Sequence, residues 1–470
     1  PHGDKRTPPR MSGWRFPFHL PKMSILAIFI IMKRTIGNEQ LQVKLAEALA
    51  VAPPALTPRD VRLPGIPGKS LAVIGVRRGG KTSLLHQHRA TRLAQGRPAE
   101  SQLLLGLEDE RLVGMTALDL GWMLEEHARL FPALRAQHPL SLYLDEIQVV
   151  DGWASLVHRL VEGGNVELFV SGSSAKLLSR EVATAARGRL LEVLVHPFSF
   201  REALRHAHRE PSAEWGRLAP VERDALTAHL REYLHVGGFP EAQTAERRDR
   251  LRLLSGYVDS MVLRDVIDRH GVSNPTALRA LQRHLLANPG GRFTVQKFFQ
   301  ALRSQGVSVG KDTLHAYLDH LQDAFLVRVI DMHSNSERQR MVNPRKVYPI
   351  DPGLIALYER PGQEHQGRAL ETAVLLELER REYTVAWLKV DDDREVDFLA
   401  SRPGDPPLLV QVCLDTSDSA TWEREVRALE LAHDRFPDAE ALLITHDASP
   451  PSRRLPVAIR WHSVAEWLLG

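Results

Sequence analysis

The chain has 470 residues, of which 43% are hydrophobic and 25% are charged, which is typical of a globular protein with more than one core. This composition excludes a disordered chain, a collagen-like repeat and a coiled-coil rod. The formal net charge is only +3, so global charge gives no argument for nucleic-acid binding. A lone cysteine, Cys413, cannot form an intrachain disulfide, and we expect a reducing compartment, the cytoplasm.

The N-terminal segment is basic and contains a short apolar run at 25–32. This run is far shorter than the roughly 20 residues that a membrane-spanning helix needs, so we expect no membrane partner. Lys33 and Arg34 follow it at once, without a small-residue cleavage site. We interpret residues 1–35 as a tail that is either unstructured or translated from a misjudged start. A signal or anchor segment and a structured extension are the alternatives.

Predicted strands and helices alternate through the next part of the chain. A short amphipathic helix at 41–50 and a proline-rich connector at 52–69 come first. The predicted strands are 71–74, 102–107, 140–144 and 166–170. Strands that alternate with helices predict a parallel sheet with helices on both faces, so we assign an α/β core to residues 36–200.

A glycine-rich loop follows the first predicted strand. Residues 75–82 read GVRRGGKT and match the pattern G-x-x-x-x-G-K-[ST], with a strand before it and a helix after it. Such a loop turns its backbone N–H groups toward a phosphate. We expect Lys81 to reach the β- and γ-phosphates of ATP and Thr82 to bind Mg²⁺. A simple glycine turn is the alternative. The predicted nucleotide-binding residues are Gly75, Val76, Arg77, Arg78, Gly79, Gly80, Lys81, Thr82 and Ser83.

Two carboxylates end the third predicted strand. We expect Asp145 to be a metal ligand for Mg²⁺, together with Thr82. Glu146 is the expected catalytic base, which would activate the attacking water. A solvated strand end is the alternative, but the position after the glycine-rich loop in an alternating chain favours the site.

Polar residues also follow the fourth predicted strand. Ser171 and Ser173 are candidates for sensing the γ-phosphate, and we include Ser173 among the catalytic residues. Of the two arginines in the next segment, Arg187 and Arg189, either could contact phosphate in its own chain or across a subunit interface. We include Arg189 as the catalytic candidate. A Ser/Gly turn and a solvated arginine pair are the alternatives.

The rest of the chain divides into three parts. Residues 201–290 are mostly helical, and residues 291–352 predict two helices, a tight turn and a strand, as in a winged helix. The second of these helices offers two acids and one lysine, which favours a structural or protein contact over a nucleic-acid contact. Residues 353–470 alternate again and predict a second α/β domain.

Several segments together resemble the prokaryotic AAA-like ATP-binding proteins that carry a C-terminal domain of unknown function 4143. They are 145–148 with Trp153, 171–174, 188–189, 196–200 with Glu202, 237–241, 257–260, 263–265, 346–353, Glu371 and 395–398. The resemblance covers roughly residues 33–450. It implies a P-loop ATPase core, a helical and winged-helix middle, and a C-terminal domain of restriction-endonuclease-like fold.

The C-terminal domain departs from the nuclease pattern of that fold. Such nucleases place one carboxylate at a strand end and a (D/E)-x-K motif on the next strand. Glu371 and Asp397 are present, but Gln411 and Cys413 stand where the second carboxylate and the lysine belong. An amide is a poor ligand for a hard cation, and a buried thiol cannot replace an ammonium group. We therefore expect a degenerate domain that is used for binding or assembly.

The sequence as a whole predicts a Mg²⁺-dependent ATPase with ATP and Mg²⁺ as cofactors. Its nucleotide state would act on C-terminal domains that bind an unidentified protein or a second copy of the chain, with nucleic acid the less favoured partner. One alternative is an ATP-gated, nucleic-acid-processing enzyme that acts through Asp397. Another is a scaffold that binds ATP as a switch without hydrolysing it.

Overall fold

The structure is a computed structural model that describes residues 34–174, 189–334, 336, 344–359 and 365–470. Most of the predicted tail, residues 1–33, and the candidate Arg187 lie outside the described residues. Within the described ranges, no helix combines the length and the apolar character that crossing a membrane requires.

A five-stranded parallel sheet forms the N-terminal core, with the strand order β2–β3–β4–β1–β5. The strands are β1 Ser70–Gly75, β2 Gln102–Gly106, β3 Leu140–Asp145, β4 Val166–Gly172 and β5 Leu190–Val195. Every residue of β1 is buried, because helices cover both faces of the sheet. Since β4 pairs with both β1 and β3, the carboxyl ends of these three strands lie side by side at one edge.

The helices of the core are α1 Asn38–Ala50, which precedes β1, and α2 Lys81–Ala94, α3 Ala117–Leu130, α4 Leu134–Gln137 and α5 Trp153–Gly163, which lie between successive parallel strands. Helix α1 buries Leu41, Leu45 and Ala48, whose spacing puts them on one face. Helix α3 begins at a capping box, in which Thr116 and Asp119 satisfy each other's backbone N–H groups.

A helical region and a small antiparallel sheet follow the core. The helices are α6 Phe200–His206, α7 Pro220–Val236, α8 Arg247–Ser260, α9 Pro275–Ala287, α10 Val295–Ser304 and α11 Lys311–Asp323, and a π-helical stretch, Met261–Asp268, directly continues α8. The strands are β6 Arg292–Phe293, β7 Val327–Ile330 and β8 Arg345–Pro349, in the order β6–β8–β7. Leu278, Phe298 and Leu318 of α9, α10 and α11 are all buried in the same core as the N-terminal sheet.

The C-terminal domain is built on a mixed sheet with the order β13–β12–β11–β10–β9. Its strands are β9 Thr384–Lys389, β10 Glu395–Ser401, β11 Leu408–Cys413, β12 Glu440–Thr445 and β13 Ile459–Ser463, and its helices are α12 Gln366–Arg380, α13 Ser419–Arg435 and α14 Val464–Leu469. Strands β9 to β11 are antiparallel, and β11 to β13 are parallel. The predicted fold class, a parallel α/β core followed by a helical region and a second α/β domain, is confirmed.

Three of the segments that carried the resemblance, 196–200, 237–241 and 346–353, meet at the junction between the core and the helical region. The Gly238 N–H donates to Asp351 Oδ2 at 2.5 Å, and the Gly353 N–H donates to Asp351 Oδ1 at 2.9 Å. The Gly238 carbonyl accepts a hydrogen bond from the Phe198 N–H at 2.7 Å. A Cβ atom on Gly238 would lie 2.1 Å from the Phe198 carbonyl oxygen, so no larger residue fits there.

Replacing Gly238 by alanine should therefore destabilise the chain by about 1–3 kcal/mol, since overpacking forces the backbone apart. The matched control is Gly256→Ala on an exposed face of α8, where nothing lies within 4 Å of the added Cβ. That variant should gain about 0.5–1 kcal/mol because alanine favours a helix. Urea midpoints of the two variants and the parent measure both effects. A Gly238→Ala midpoint equal to that of the parent would contradict the assigned close packing.

Candidate functional site

The loop between β1 and α2 is shaped by its glycines. Gly75 and Gly80 have positive φ angles of 150° and 102°. A side chain on Gly75 would collide with the backbone of the neighbouring strand β5, since its Cβ would lie 2.2 Å from the Val195 carbonyl oxygen. Helix α2 starts directly after Gly80, which has no side chain to cap it, so the N–H groups of the first turn are available to an anion.

A cavity of about 770 Å³ opens at this helix terminus. Six of the predicted nucleotide-binding residues line it, namely Arg77, Arg78, Gly80, Lys81, Thr82 and Ser83, as do both carboxylates of β3, Asp145 and Glu146. The other three predicted residues, Gly75, Val76 and Gly79, form the turn behind the cavity. The volume lies within the range of small-molecule sites, which is roughly 300–1,000 Å³.

Four side chains converge at the floor of the cavity. The Thr82 hydroxyl donates to Asp145 Oδ2 at 2.7 Å. Lys81 Nζ lies 3.5 Å from Glu146 Oε1 and also donates to the loop's own carbonyl groups, Gly75 O at 3.2 Å and Val76 O at 3.1 Å. The Lys81 ammonium group thus donates to carbonyl groups of the same loop that would surround a phosphate.

The two carboxylates of β3 have different electrostatic surroundings. Burial raises the pKa of Asp145 above its ordinary value, and hydrogen bonds from Ser171 and Thr82 only partly offset this effect. Burial also acts to raise the pKa of Glu146, but the positive charge of Lys81 and a hydrogen bond from Gln148 outweigh it, so this pKa is lowered. Glu146 is therefore held as a carboxylate paired with Lys81.

Ser171 and Ser173, at the end of β4, have different hydrogen-bond partners. Ser171 Oγ donates to Asp145 Oδ1 and accepts from the Glu146 backbone N–H at 2.9 Å, so it contacts the side chain of one acidic residue and the backbone of the other. Ser173, which the sequence analysis placed among the catalytic residues, instead donates to Asp265 Oδ1 at 3.2 Å. It is buried at the correct edge of the sheet but is not part of the cavity lining.

The structure does not bring Arg189 to this cavity. Arg189 precedes β5, and its carbonyl accepts from the Ser70 N–H at 2.8 Å, at the amino-terminal edge of the sheet. The glycine-rich loop is at the opposite edge, roughly 17 Å away along β1 at about 3.3 Å per residue. The prediction that Arg189 contacts a phosphate in the cavity of its own chain is therefore wrong. A contact of Arg189 across a subunit interface stays a proposal.

Arg59 stabilises the glycine-rich loop and was not predicted from the sequence. Its guanidinium donates to Gly79 O at 2.9 Å, to His196 O at 2.7 Å and to Glu202 Oε1 at 2.9 Å, and it is buried. Arg59 lies in the proline-rich connector, where a single arginine has no sequence signature. Its contacts fix the glycine-rich loop to the start of α6.

The rim of the cavity carries further cations, and each of them is paired with a carboxylate. The pairs are Lys44–Asp109 at 2.7 Å, Arg77–Glu108 at 3.1 Å, Arg77–Asp265 at 3.3 Å, Arg78–Glu241 at 2.8 Å and Arg264–Glu108 at 3.6 Å. Glu241, Ser260 and Arg264 come from the helical region, so the cavity lies between that region and the core. Arg264 was not predicted as a site residue, because its segment, 263–265, contributed only to the family resemblance.

A second cavity, of about 670 Å³, lies in the C-terminal domain beside Glu371, Asp397, Gln411 and Cys413. The fully buried Lys346, from strand β8 outside this domain, reaches its carboxylates. Lys346 Nζ lies 3.3 Å from Glu371 Oε1, 3.0 Å from Glu395 Oε1 and 3.1 Å from Asp397 Oδ1. An internal ammonium group is therefore paired with the carboxylates that a nuclease would use for a metal ion.

The two departures from the nuclease pattern have structural roles. Gln411 accepts from the Asp397 N–H at 3.3 Å and donates to Glu425 at 2.6 Å. Burial raises the pKa of Cys413 to about 11, so its thiol is uncharged at neutral pH. Burial and the nearby Asp397 raise the pKa of Glu371 to about 7, against the effect of Lys346.

Comparison with known proteins supports the assignment of the core. The family described as "AAA domain" matches residues 67–204, which include the loop and strands β1 to β5. The family described as "Domain of unknown function (DUF8612)" matches residues 227–362, and it differs from the domain of unknown function 4143 that the resemblance implied.

Two relatives match most of the chain. The uncharacterized protein MJ1544 of Methanocaldococcus jannaschii is 31% identical over 80% of this chain and 81% of its own length. An uncharacterized protein of Haemophilus influenzae is 33% identical over 74% of this chain and 83% of its own length. Among solved structures, the Walker-type ATPase PABY2304 of Pyrococcus abyssi has 17% identity and a TM-score of 0.40, covering 69% of this chain and 96% of that one, and no conclusion rests on so distant a likeness.

The fold and the loop define an AAA-like P-loop protein. Within that class, the chain belongs to the family that contains MJ1544 and the Haemophilus influenzae protein.

The raised pKa of Glu371 predicts a pH dependence of stability. Its pKa is about 7 in the folded chain, above the ordinary value of 4.5, so the folded state binds more protons between these values. Stability should therefore fall as the pH rises from about 5 to 7, by up to about 1.4 kcal/mol per pH unit for one proton. The variant Glu371→Gln has no proton to lose there, and its decline should be smaller.

Urea midpoints between pH 5 and 8 measure this difference. Glu423→Gln removes an exposed carboxylate of the same domain and should leave the parent's pH dependence unchanged. An identical decline in the parent and in Glu371→Gln would show that Glu371 does not retain its proton in the folded chain.

Proposed function

We propose that the chain is a magnesium-dependent ATPase whose nucleotide state changes the contacts between its core and the regions that follow it. The observation that carries this proposal is the convergence of Lys81, Thr82, Asp145 and Glu146 at the open N-terminus of helix α2. A triphosphate needs an ammonium group, backbone N–H donors and a metal shell, and this cavity offers a residue for each.

The residues present fit Mg²⁺ and ATP. Lys81 would leave the carbonyl groups of Gly75 and Val76 and bind the β- and γ-phosphates, which replace those acceptors with stronger, charged ones. Thr82 and Asp145, already 2.7 Å apart, would hold the magnesium ion. Bound Mg²⁺ neutralises phosphate charge, and the chain's own contribution is to position the groups around it.

Glu146 becomes a stronger base when Lys81 moves away from it. In the structure, Lys81 lowers the pKa of Glu146 and keeps this carboxylate a weak base. Once Lys81 turns to the phosphates, this attraction weakens, and burial raises the proton affinity of Glu146. Glu146 then accepts a proton from the attacking water as the general base. Binding of the nucleotide thus raises the proton affinity of Glu146, the general base.

The remaining parts of the chain are proposed to bind the partner. We assign the domains as 36–200, 201–290, 291–352 and 353–470, with 291–352 as a winged-helix-like unit and the last as a degenerate restriction-endonuclease-like domain. Helices α10 and α11 with the antiparallel sheet β6–β8–β7 support the winged-helix assignment. The partner is a protein or a second copy of this chain, and Arg189 is a candidate for a contact across such an interface.

A test of nucleotide chemistry uses two variants of the cavity. Lys81→Ala should lose ATP affinity at least about tenfold, since hydrogen bonds to charged groups contribute roughly 1.5–3 kcal/mol each. Glu146→Gln should keep ATP binding but lose about 10²- to 10⁴-fold in turnover, the usual contribution of a general base. Calorimetry with ATP and Mg²⁺ and phosphate release measure the two quantities.

Lys297→Ala, an exposed lysine of α10, is the matched control and should behave as the parent in both assays. Unchanged ATP affinity in Lys81→Ala would sink the assignment of the loop. If the parent binds ATP tightly but releases no phosphate at saturation, the non-hydrolysing switch or scaffold is the correct function.

The nuclease alternative is tested on the full chain with DNA and RNA, in Mg²⁺ and with or without ATP. The contacts of Lys346 with Glu371, Glu395 and Asp397 support a degenerate site, so no cleavage is expected. Asp397→Asn keeps the size of the side chain and is the matched control for contaminating nuclease. Cleavage by the parent that Asp397→Asn abolishes would establish the nucleic-acid-processing enzyme instead.

A further inference from the structure

The end of strand β4 touches three different parts of the chain through three serines. Ser171 contacts Asp145 and Glu146 of the nucleotide cavity. Ser173 donates to Asp265 Oδ1, at 3.2 Å, in the π-helical stretch of the helical region. Ser174 lies 3.0 Å and 3.1 Å from the two carboxylate oxygens of Asp323, the last residue of helix α11. All three serines are buried.

The position of Asp323 is electrostatically unfavourable for a carboxylate. A helix C-terminus carries partial negative charge, and Asp323 is buried at that end of α11. Its interaction with Ser174 is accompanied by His270, whose Nε2 lies 3.5 Å from Asp323 Oδ2. His270 in turn stacks on His320, one turn earlier in α11, with ring centroids 3.8 Å apart. A buried acid at this position therefore depends on partners that belong to other elements.

We propose that Asp323 is a positioning residue that couples the nucleotide cavity to helix α11 through Ser174 and the end of strand β4. The proposal rests on the proposed function, since it assigns the part of the chain that responds to ATP. Helix α11 is the second helix of the winged-helix-like unit, so the ATP signal would reach the unit that is proposed to bind the partner.

The path is short and made of direct contacts. Binding of ATP and Mg²⁺ must exchange the Thr82–Asp145 hydrogen bond and the Lys81–Glu146 pair for contacts with the ligand. Both carboxylate residues are held by Ser171, which is three positions before Ser174 on the same strand end. A change in the hydrogen bonds of Ser171 shifts the backbone that also carries Ser174, because adjacent residues at the end of a paired strand cannot move independently.

Asp265 provides a second contact between the same parts. Its Oδ2 accepts from Arg77 Nε of the glycine-rich loop at 3.3 Å, and its Oδ1 accepts from Ser173 and from Arg269 Nη2 at 3.1 Å. Asp265 therefore joins the loop, strand β4 and the helical region. Asp265 thus positions the start of the segment that leads to His270, while Asp323 positions the end of α11.

The experiment measures hydrogen exchange of residues 311–323 in the full chain, with and without ATP and Mg²⁺. The background is Glu146→Gln, which keeps the nucleotide unhydrolysed. This variant removes the Lys81–Glu146 ion pair, so the measurement follows the exchange of the Thr82–Asp145 hydrogen bond. In this background, ATP should change the exchange rates of α11 by about five-fold or more, the lower end of typical coupling between sites. Adding Ser174→Ala should remove this change while ATP still binds in calorimetry, an outcome that a merely structural role of Ser174 would not produce.

Ser308→Ala, an exposed serine just before α11, is the matched control and should keep the ATP-dependent change. Asp323→Asn is the second variant, and it should also reduce the change, which keeps the test decisive if Ser174→Ala folds poorly. Bound ATP without any change in α11, or a change that persists in both variants, would overturn the coupling. Absence of ATP binding in the Glu146→Gln background would instead contradict the proposed function itself.

Discussion

The position of strand β4 between β1 and β3 is the constraint on which the site depends. Parallel pairing on both sides aligns the carboxyl ends of the three strands, so the glycine-rich loop, Asp145-Glu146 and Ser171 meet although they are far apart in sequence. The same pairing leaves the amino-terminal edge, where Arg189 lies, on the far side of the sheet. The common direction of the strands thus separates the residues at the cavity from Arg189.

Charge in the nucleotide cavity is balanced before any ligand arrives. Lys81 is paired with Glu146, and the rim cations Lys44, Arg77, Arg78 and Arg264 are each close to a carboxylate. Under the proposed function, a triphosphate competes with these internal pairs, and the carboxylates that it displaces become available for other contacts. Arg78 is paired with Glu241 of the helical region and Arg264 belongs to that region, so we expect this exchange to alter how the region sits on the core.

The sequence predicted those features that depend on local pattern. The strand before the loop, the helix after it and the carboxylates at the end of β3 are visible in the order of residues, because each motif sits next to the element that presents it. Arg59 and Lys346 were not predictable, since each is a single cation that finds its partners far along the chain. Ser173 was placed at the correct edge but given the wrong neighbour, because the sequence does not reveal that Asp265 reaches into the space beside it.

The close approach of Gly238 to Phe198 has a practical consequence for dividing the chain. The Phe198 N–H donates to Gly238 O, the Gly238 N–H donates to the buried carboxylate of Asp351, and Arg380 adds a hydrogen bond to Pro197 O at 3.1 Å. A shortened protein that ends near residue 200 would keep Pro197 and Phe198 but lose Gly238 and Arg380, so the backbone groups of 197–198 would be left without these partners. Truncation boundaries for expression or crystallisation therefore belong outside this junction, and the nucleotide-binding half is best prepared together with the segment that carries Asp351.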